Sequence, residues 1–543
     1  MSVDLPSPVD LPGRVDLLSA LLDSCREHPD APALSQGRRT LTYRELDVRI
    51  ASVAASLEAA GLHVGDRVLF SVRPGLDGIC LALGIIAAGG TVVFADPGAG
   101  EQMFRARAAL AAPRWVAAES LLYFASSGPL KPLARRRGLE LPPYSVVVPD
   151  ARHIYAGPWL PGVPRGAIPL RSLLAAGGRV AAGRVASASE RVETPAEALI
   201  IFTSGTTAHP KAVVHSRTSL GTGLAGFAAH VRFALGERLL TDQLMIGIPA
   251  LIAGAHWRLP AVGMDPGAKP VRYLDGLPET DALFMVPASL GALLTLLDTH
   301  PDKTPPLSTL LIGGAPVLRP LLERVRRRWP TVRICAIYGM TEILPVAIAD
   351  GDDKLAFEGP GDYVGTVLPA IRARIVPNAA GDGELVLAGD GLALGYLAEL
   401  PEHPLVSLNT GDLAELIGDS LVLRGRSKDM FIRGSTNVYP GLYEPVIAGI
   451  AGIADVAMVG LPDEIGDDRV VLVVVPRTDR PQGFGTTHPV IDSVRDALPG
   501  LVDAAVLPDL VLVTAELPRA GRSSKLDSSA LSEAVSHYLM SGN

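Results

Sequence analysis

Leu199-Ile-Ile-Phe-Thr-Ser-Gly-Thr-Thr-Ala-His-Pro-Lys-Ala-Val-Val-His-Ser216 is the stretch around which this chain is arranged. Its opening run, Leu199 to Phe202, is apolar and short, the pattern of a buried strand. The run stops at the hydroxyl residues Thr203, Ser204, Thr206 and Thr207, interleaved with Gly205, and Lys211 then precedes a second apolar run. Small residues let backbone N–H groups approach phosphate oxygens, hydroxyls add donors, and a lysine adds a mobile positive charge. The expectation is a phosphate-gripping loop over 203–211. Taken alone, a Ser/Thr/Gly cluster reads equally as a polar turn between two strands.

The spacing is not that of a Walker loop, in which Gly-Lys-Ser/Thr follows four intervening residues. Here Lys211 lies between Pro210 and Ala212. The stretch instead resembles the Thr-Ser-Gly-Thr-Thr-Gly-x-Pro-Lys-Gly signature of the adenylate-forming superfamily, which includes acyl-CoA synthetases, peptide-synthetase adenylation domains and luciferases. Ala208 and Ala212 stand where that signature has Gly. A Cβ penalises positive φ, so a stiffer loop or weaker nucleotide binding is expected.

Further motifs carry the resemblance through most of the chain. Leu283 to Val286 and Thr309 to Ile312 read as buried strands flanking a Leu-rich helix, Leu290 to Leu297, and the second strand ends in Gly313-Gly-Ala-Pro316. By itself this is a strand-to-helix turn. Its family counterpart lies along the adenine, which the resemblance carries to Gly314, Ala315 and Pro316. After a strand expected over 333–337 comes Tyr338-Gly-Met-Thr-Glu342, similar to the family's Tyr-Gly-x-Thr-Glu, with Gly339 and Met340 inside it. An aromatic face stacks on a base, a hydroxyl reaches the α-phosphate, and a carboxylate is a hard ligand for the Mg²⁺ that accompanies ATP. The resemblance gives those roles to Tyr338, Thr341 and Glu342.

Asn409-Thr-Gly-Asp412 resembles the Thr-Gly-Asp motif, whose aspartate accepts from both ribose hydroxyls. Arg424-Gly-Arg-Ser-Lys-Asp-Met-Phe-Ile-Arg-Gly434 resembles the segment that ends the large domain, so Arg426 contacts ribose or phosphate and Lys428 is the hinge. Leu517-Pro-Arg-Ala-Gly-Arg-Ser-Ser-Lys-Leu-Asp527 resembles the closing Pro-x-x-x-x-Gly-Lys motif, with Ser524 in place of the usual Gly and Lys525 one residue further from Pro518. Lys525 is therefore the expected catalytic lysine bridging substrate carboxylate and α-phosphate, acting with Lys211, Thr341 and Glu342.

The 543 residues exceed one ordinary core, so two or more domains are expected. Helical spacing over Val15 to Glu27 and from Leu41 to about Ala60 alternates with strands at Gly65 to Ser71 and Thr91 to Ala95 and a helix over Leu76 to Gly89. Alternation predicts a parallel sheet covered on both faces. The stretch 124–194 is expected to be irregular, Thr218 to Phe233 a helix, and Pro249 argues against a regular central strand within Leu244 to Ala253. No aromatic or His follows that proline directly, so the family's usual acyl-pocket gate is missing; His256 beside Trp257 reads as a packing residue. Short strands with Gly-Asp turns over Val364 to Leu423 suggest a small β-barrel-like subdomain. The tail is read as strands 454–459, 470–475 and 510–513 with helices near 488–498 and at the end. The fold expected is α/β: a large N-terminal domain, 1–427, of α/β subdomains plus that β-barrel-like part, and a small mobile α+β C-terminal domain, 428–543.

A formal charge of −8 argues against a broad nucleic-acid surface; the local cluster Arg324, Arg326, Arg327, Arg328 reads as a solvated helix face. Cys25, Cys80 and Cys335 lack disulfide or metal spacing, which suits a cytoplasmic protein, and no signal peptide or membrane span is read. The resemblance implies ATP- and Mg²⁺-dependent activation of a small-molecule carboxylic acid as an acyl-AMP. Val72-Arg-Pro-Gly-Leu76, Ala95-Asp-Pro-Gly98, Met264-Asp-Pro266, Tyr338 to Ala347 and Tyr443-Glu-Pro-Val446 resemble the β-lactone synthetases of olefin biosynthesis. Those relatives let the 3-hydroxyl of a fatty acid displace AMP. The alternatives are a ligase transferring the acyl group to CoA, a carrier-protein thiol or an amine, or one activating another oxyanion such as nitrite. A non-enzymatic nucleotide-binding relative is the third reading.

Overall fold

The computed structural model describes residues 13–95, 101–127, 143–175, 197–202, 211–261, 270–377, 383–426, 431–433, 436–438, 440–462, 468–502, 507–520 and 525–541. Among these residues an eight-stranded sheet runs, from edge to edge, Gly395–Tyr396, Ala212–Ser216, Glu197–Phe202, Thr91–Phe94, Arg67–Ser71, Trp115–Glu119, Arg152–Ala156 and Ile168–Pro169. From Glu197–Phe202 to Ile168–Pro169 neighbours are parallel. Ala212–Ser216 turns back antiparallel. Side chains alternate across the pleat: Val68, Phe70, Val92 and Leu199 enter a core with helices Leu17–Glu27, Tyr43–Ala59 and Leu76–Ala87, while Leu69, Val93, Val116 and Ile200 pack on Phe104, Tyr123 and Tyr144 of the other side. Burial on both faces is why these strands are nearly continuous apolar runs.

The helix boundaries follow from their caps. Thr42 accepts from the Glu45 amide, and Glu45 reaches back to the Thr42 amide, a capping box that starts Tyr43–Ala59. Asp16 caps Leu17–Glu27 and forms a two-bond ion pair with the buried Arg217, 2.7 and 2.8 Å. That pair joins the first helix to helix Arg217–Val231. Within 124–194, expected to be irregular, Arg152–Ala156 is instead a full strand of the sheet. Its Arg and His hid the apolar signal, and His153 is buried against the Tyr123 hydroxyl at 3.1 Å.

A second, 13-stranded sheet runs Ile371–Pro377, Gly383–Gly389, Leu408–Ile417, Ser420–Arg426, Asp362–Val367, Ile343–Asp350, Arg333–Met340, Thr309–Gly313, Ala282–Met285, Arg238–Leu240, His256–Leu259, Pro32–Gln36 and Arg39–Thr42. The strands expected to form a β-barrel-like subdomain do not close. Asp362–Val367 pairs with Ile343–Asp350 on one side and Ser420–Arg426 on the other, so they prolong the central sheet. Leu244–Ile252 is a helix despite Pro249, seated on Trp257 so closely that a Cβ at Gly247 would lie 2.1 Å from the indole. His256 is structural, its Nε2 2.9 Å from the Ser35 hydroxyl.

The C-terminal residues build their own sheet, Ile453–Pro462, Asp468–Pro476 and Leu510–Val513. Val470, Leu472 and Val474 pack on helix Pro489–Ala497, and Val471, Val473 and Val475 on helix Ser528–Met540. Period-2 burial on both faces explains the unbroken valine run. Among the described residues no helix is long and apolar enough to cross a membrane.

Gly84 lies where helix Leu76–Ala87 meets Tyr43–Ala59, and a Cβ there would stand 2.4 Å from Val53 Cγ1. Gly84→Ala is expected to lower stability by about 1–3 kcal/mol through overpacking, and Val53→Ala to recover part of the loss by returning volume. Urea midpoints of the single and double variants check this; additive losses would contradict it.

Candidate active site

Gly313 and Ile337 are partners in the parallel pair Thr309–Gly313 and Arg333–Met340. The residues that follow, Gly314–Pro316 and Tyr338–Glu342, therefore extend side by side past the end of that parallel pair, at the carboxyl edge where open α/β sheets bind ligands. Gly314 takes φ of +86°, a conformation a side chain would strain. The strand expected over 333–337 continues through Tyr338, Gly339 and Met340, and Thr341–Glu342 turn it back into Ile343–Asp350. Gly339 sits close to the returning strand: a Cβ would lie 3.2 Å from Pro345 Cα, a tight contact.

Two groups of side chains form at this edge. In the first, the Tyr338 hydroxyl donates to Asp412 Oδ2 at 2.5 Å. Asp412 is only 2% exposed, its amide bonds Thr410 Oγ1 at 3.0 Å, and its strand partner in register is Arg426. The second group joins Lys211, Tyr396 and Glu342. The Tyr396 hydroxyl donates to Glu342 Oε1 at 2.9 Å, and Lys211 Nζ stands 4.9 Å from the centre of the Tyr396 ring, within cation–π range. Burial, and after it the adjacent Glu342 charge, push the Tyr396 phenol above its ordinary pKa, so it remains a donor.

Behind the turn, His215 Nε2 lies 2.7 Å from the Thr341 carbonyl and Nδ1 3.2 Å from the Ser219 hydroxyl. Burial holds this imidazole below its ordinary pKa despite the opposing pull of the Thr341 bond. A carbonyl only accepts, so the neutral ring carries its proton on Nε2.

The structure thus brings Tyr338, Asp412 and the Arg426 backbone together, and Lys211 with Glu342. Thr203, Ser204, Gly205, Thr206, Thr207 and Lys428 lie outside the described residues, as do Ala208 and Ser524. Ala212 corrects an expectation: it sits in extended strand opposite Phe202 and not at positive φ, so its Cβ introduces no strain. Lys525 is exposed on a short ribbon paired through Ala520, which Leu526 ties to the C-terminal sheet's core. Sequence reasoning assigned nothing to Tyr396 or His215. A histidine on an otherwise apolar buried strand needs a partner and was a usable signal; a lone Gly395-Tyr396 step gave almost none.

A carboxylate that keeps an oxygen available suits Mg²⁺, which is commonly held by one or two carboxylates, waters and substrate phosphates. Glu342 fits, because Oε2 has no hydrogen-bond partner among the described residues. No group of three or more His, Cys, Asp or Glu able to cage a metal occurs among them. Tyr338 with Asp412 offers a ring held at its hydroxyl end and a buried acceptor, a set that fits a nucleoside.

Comparison with known proteins agrees with this chemistry. Isonitrile lipopeptide synthase of Streptomyces coeruleorubidus is 28% identical over 562 residues, covering 96% of this chain and 34% of that protein. The long-chain-fatty-acid–CoA ligase FadD13 of Mycobacterium tuberculosis is 27% identical over 300 residues, covering 51% of this chain and 57% of the ligase. The chain therefore spans about a third and somewhat over half of these curated relatives. Among solved structures, ATP-bound MatB from Rhodopseudomonas palustris superposes with a TM-score of 0.74 at 22% identity, covering 96% of this chain and 98% of MatB, which establishes a shared fold. The family described as AMP-binding enzyme matches residues 21–397, well over half of the 543, and the chain belongs to it.

Proposed function

We propose that the chain activates a carboxylic acid with ATP as an acyl-AMP and then hands the acyl group to a thiol, of CoA or of a carrier protein. The observation that carries the reading is the grouping of Lys211, Tyr396 and Glu342 on the same hairpin edge as the Tyr338–Asp412 pair. One set supplies charge for phosphates and the other a nucleoside seat. Its relatives include a fatty-acid–CoA ligase, which supports the thiol acceptor.

In the first step a carboxylate oxygen attacks the α-phosphorus, the bond to the bridging oxygen breaks, and pyrophosphate leaves with the electron pair. Tyr338 and Asp412 hold base and ribose, Arg426 assists, and Gly314, Ala315 and Pro316 line the adenine. Lys211 and the hydroxyl residues at 203–207 grip phosphate oxygens, and Thr341 meets the α-phosphate. Glu342 would hold Mg²⁺, which when bound would neutralise phosphate charge. Lys525 aligns the incoming carboxylate with the phosphorus. No side chain attacks, so rate comes from positioning and charge neutralisation. In the second step a thiolate attacks the acyl carbon and AMP departs. A boundary at 427/428, with rotation about Lys428, removes Lys525 between the steps.

The lactone reading keeps its five sequence segments, of which Met264-Asp-Pro266 and residues 96–98 of Ala95-Asp-Pro-Gly98 lie outside the described residues. We place the protein in the cytoplasm, where its three buried free cysteines stay reduced.

A product assay by mass spectrometry separates the acceptors. With Mg-ATP and a panel of fatty, 3-hydroxy-fatty and aryl acids, a thioester formed only with CoA is expected. A product one water lighter than a 3-hydroxy acid, formed without CoA, replaces the thiol reading with the lactone. Lys525→Ala is expected to lower acid-dependent ATP–pyrophosphate exchange about 100-fold or more while nucleotide binding persists. Unchanged exchange removes Lys525 from the reaction.

A further inference from the structure

The short stretch 392–397 touches both sheets at once. The amides of Leu394 and Leu397 donate to the carbonyls of Val214 and Ala212, each at 2.8 Å, and Gly395–Tyr396 pairs antiparallel with Ala212–Ser216. One residue earlier, the Ala393 amide donates to the Glu342 carbonyl at 2.8 Å, and Leu392 bridges Ile343. Backbone bonds thus fix this strap to the strand that begins beside Lys211 and to the turn that carries Glu342. The Tyr396 side chain spans the interval, its ring against Lys211 Nζ and its hydroxyl on Glu342 Oε1.

We propose that Tyr396 is a positioning residue for the metal and phosphate grip, setting the rotation of the Glu342 carboxylate and the place of the Lys211 ammonium. The inference rests on the ATP-using reading above. A glutamate's last torsion is broad and only weakly restrained by its own chain, so Oε2 needs an external partner to face a cation consistently. The donor on Oε1 supplies it, as outer partners of metal ligands do. Lysine's long stem is costly to order, and the aromatic face restrains its ammonium end through the ring contact. Because one ring serves both groups, the cation and the lysine charge are held in a common frame.

The test uses the full-length protein with Mg²⁺ and a non-hydrolysable ATP analogue, binding being followed by calorimetry at stepped free Mg²⁺ with turnover measured in parallel. Tyr396→Phe removes one oxygen and keeps the ring. The free Mg²⁺ needed for half-maximal binding is expected to rise about 10-fold, with analogue affinity at saturating Mg²⁺ and the KM for the acid near wild type. Tyr396→Leu also removes the ring and is expected to weaken analogue binding at saturating Mg²⁺ by about fivefold. In a Glu342→Gln background Tyr396→Phe is expected to add nothing, its target being changed. The proposal is overturned if Tyr396→Phe leaves the Mg²⁺ midpoint at the wild-type value, with or without a lower melting temperature, or if its effect persists undiminished beside Glu342→Gln. Wild-type protein that binds the analogue with no response to Mg²⁺ overturns the ATP reading itself, a result distinguishable from failure of the variant alone.

Discussion

The turn Thr341–Glu342 is gripped from three directions, and both sheets meet through those grips. His215, from the eight-stranded sheet, donates to the Thr341 carbonyl; the Ala393 amide donates to the Glu342 carbonyl; and the Tyr396 hydroxyl donates to the Glu342 carboxylate. A hairpin end ordinarily frays into solvent, its carbonyls satisfied by water. Here they are satisfied by protein, which ties the end of Arg333–Met340 to the strand leading away from Lys211. Each such bond adds only about 0.5–1.5 kcal/mol net, but a buried carbonyl or ring nitrogen left without its partner costs about 1–3 kcal/mol. The asymmetry favours one arrangement of the turn over alternatives that would break any of the contacts.

The neutral His215 follows from the same constraint. An imidazolium there would be a buried charge with two N–H donors facing only a carbonyl and the Ser219 hydroxyl, with the Thr341 carbonyl as its main compensation, and burial outweighs that bond. The side chain works as a fixed donor. Tyr338 and Asp412 repeat the device on the adjoining strand: a hydroxyl on a carboxylate holds an aromatic ring at its far end. Both tyrosines of the site thus bond a carboxylate through the hydroxyl, an arrangement that would suit the proposed nucleotide seat.

Much of this architecture is written in local pattern. Valine runs such as Val470 to Val475, the helices read over 15–27 and 76–89 and the strands read over 65–71 and 91–95 carry their own structural signal, and the structure places those elements as expected, whereas Pro32–Gln36 and Arg39–Thr42 are strands where none was read. Arg152–Ala156 was hidden because its polar side chains are satisfied by distant partners, His153 by Tyr123. The continuity of the second sheet was hidden for a related reason: nothing in the 364–423 segment announces that its edge joins Ile343–Asp350 and not itself. In the site, motif residues with dense, characteristic spacing could be named from the sequence as candidates. Tyr396 and His215 were not, because their meaning lies in contacts across 54 and 126 positions of sequence. Ala212 shows the converse error, a family glycine taken as a conformational need where this chain uses ordinary extended strand.

The proposed chemistry would also account for a lysine at 525 on its own short ribbon while the other groups are fixed to the two large sheets. The nucleotide must stay gripped through both steps, since AMP leaves only when the acyl carbon is attacked. Its contacts therefore gain from rigid strands and from the backbone-fixed strap at 392–397. A charge that assists formation of the acyl-phosphate bond has the opposite requirement. Once that bond exists, a lysine between carboxylate and phosphate occupies the approach of the next nucleophile, and its attraction stabilises the intermediate that must now react. On the proposed mechanism, carrying Lys525 on a ribbon anchored to the C-terminal core, on elements separate from those of Lys211 and Glu342, would let one charge withdraw without loosening the others.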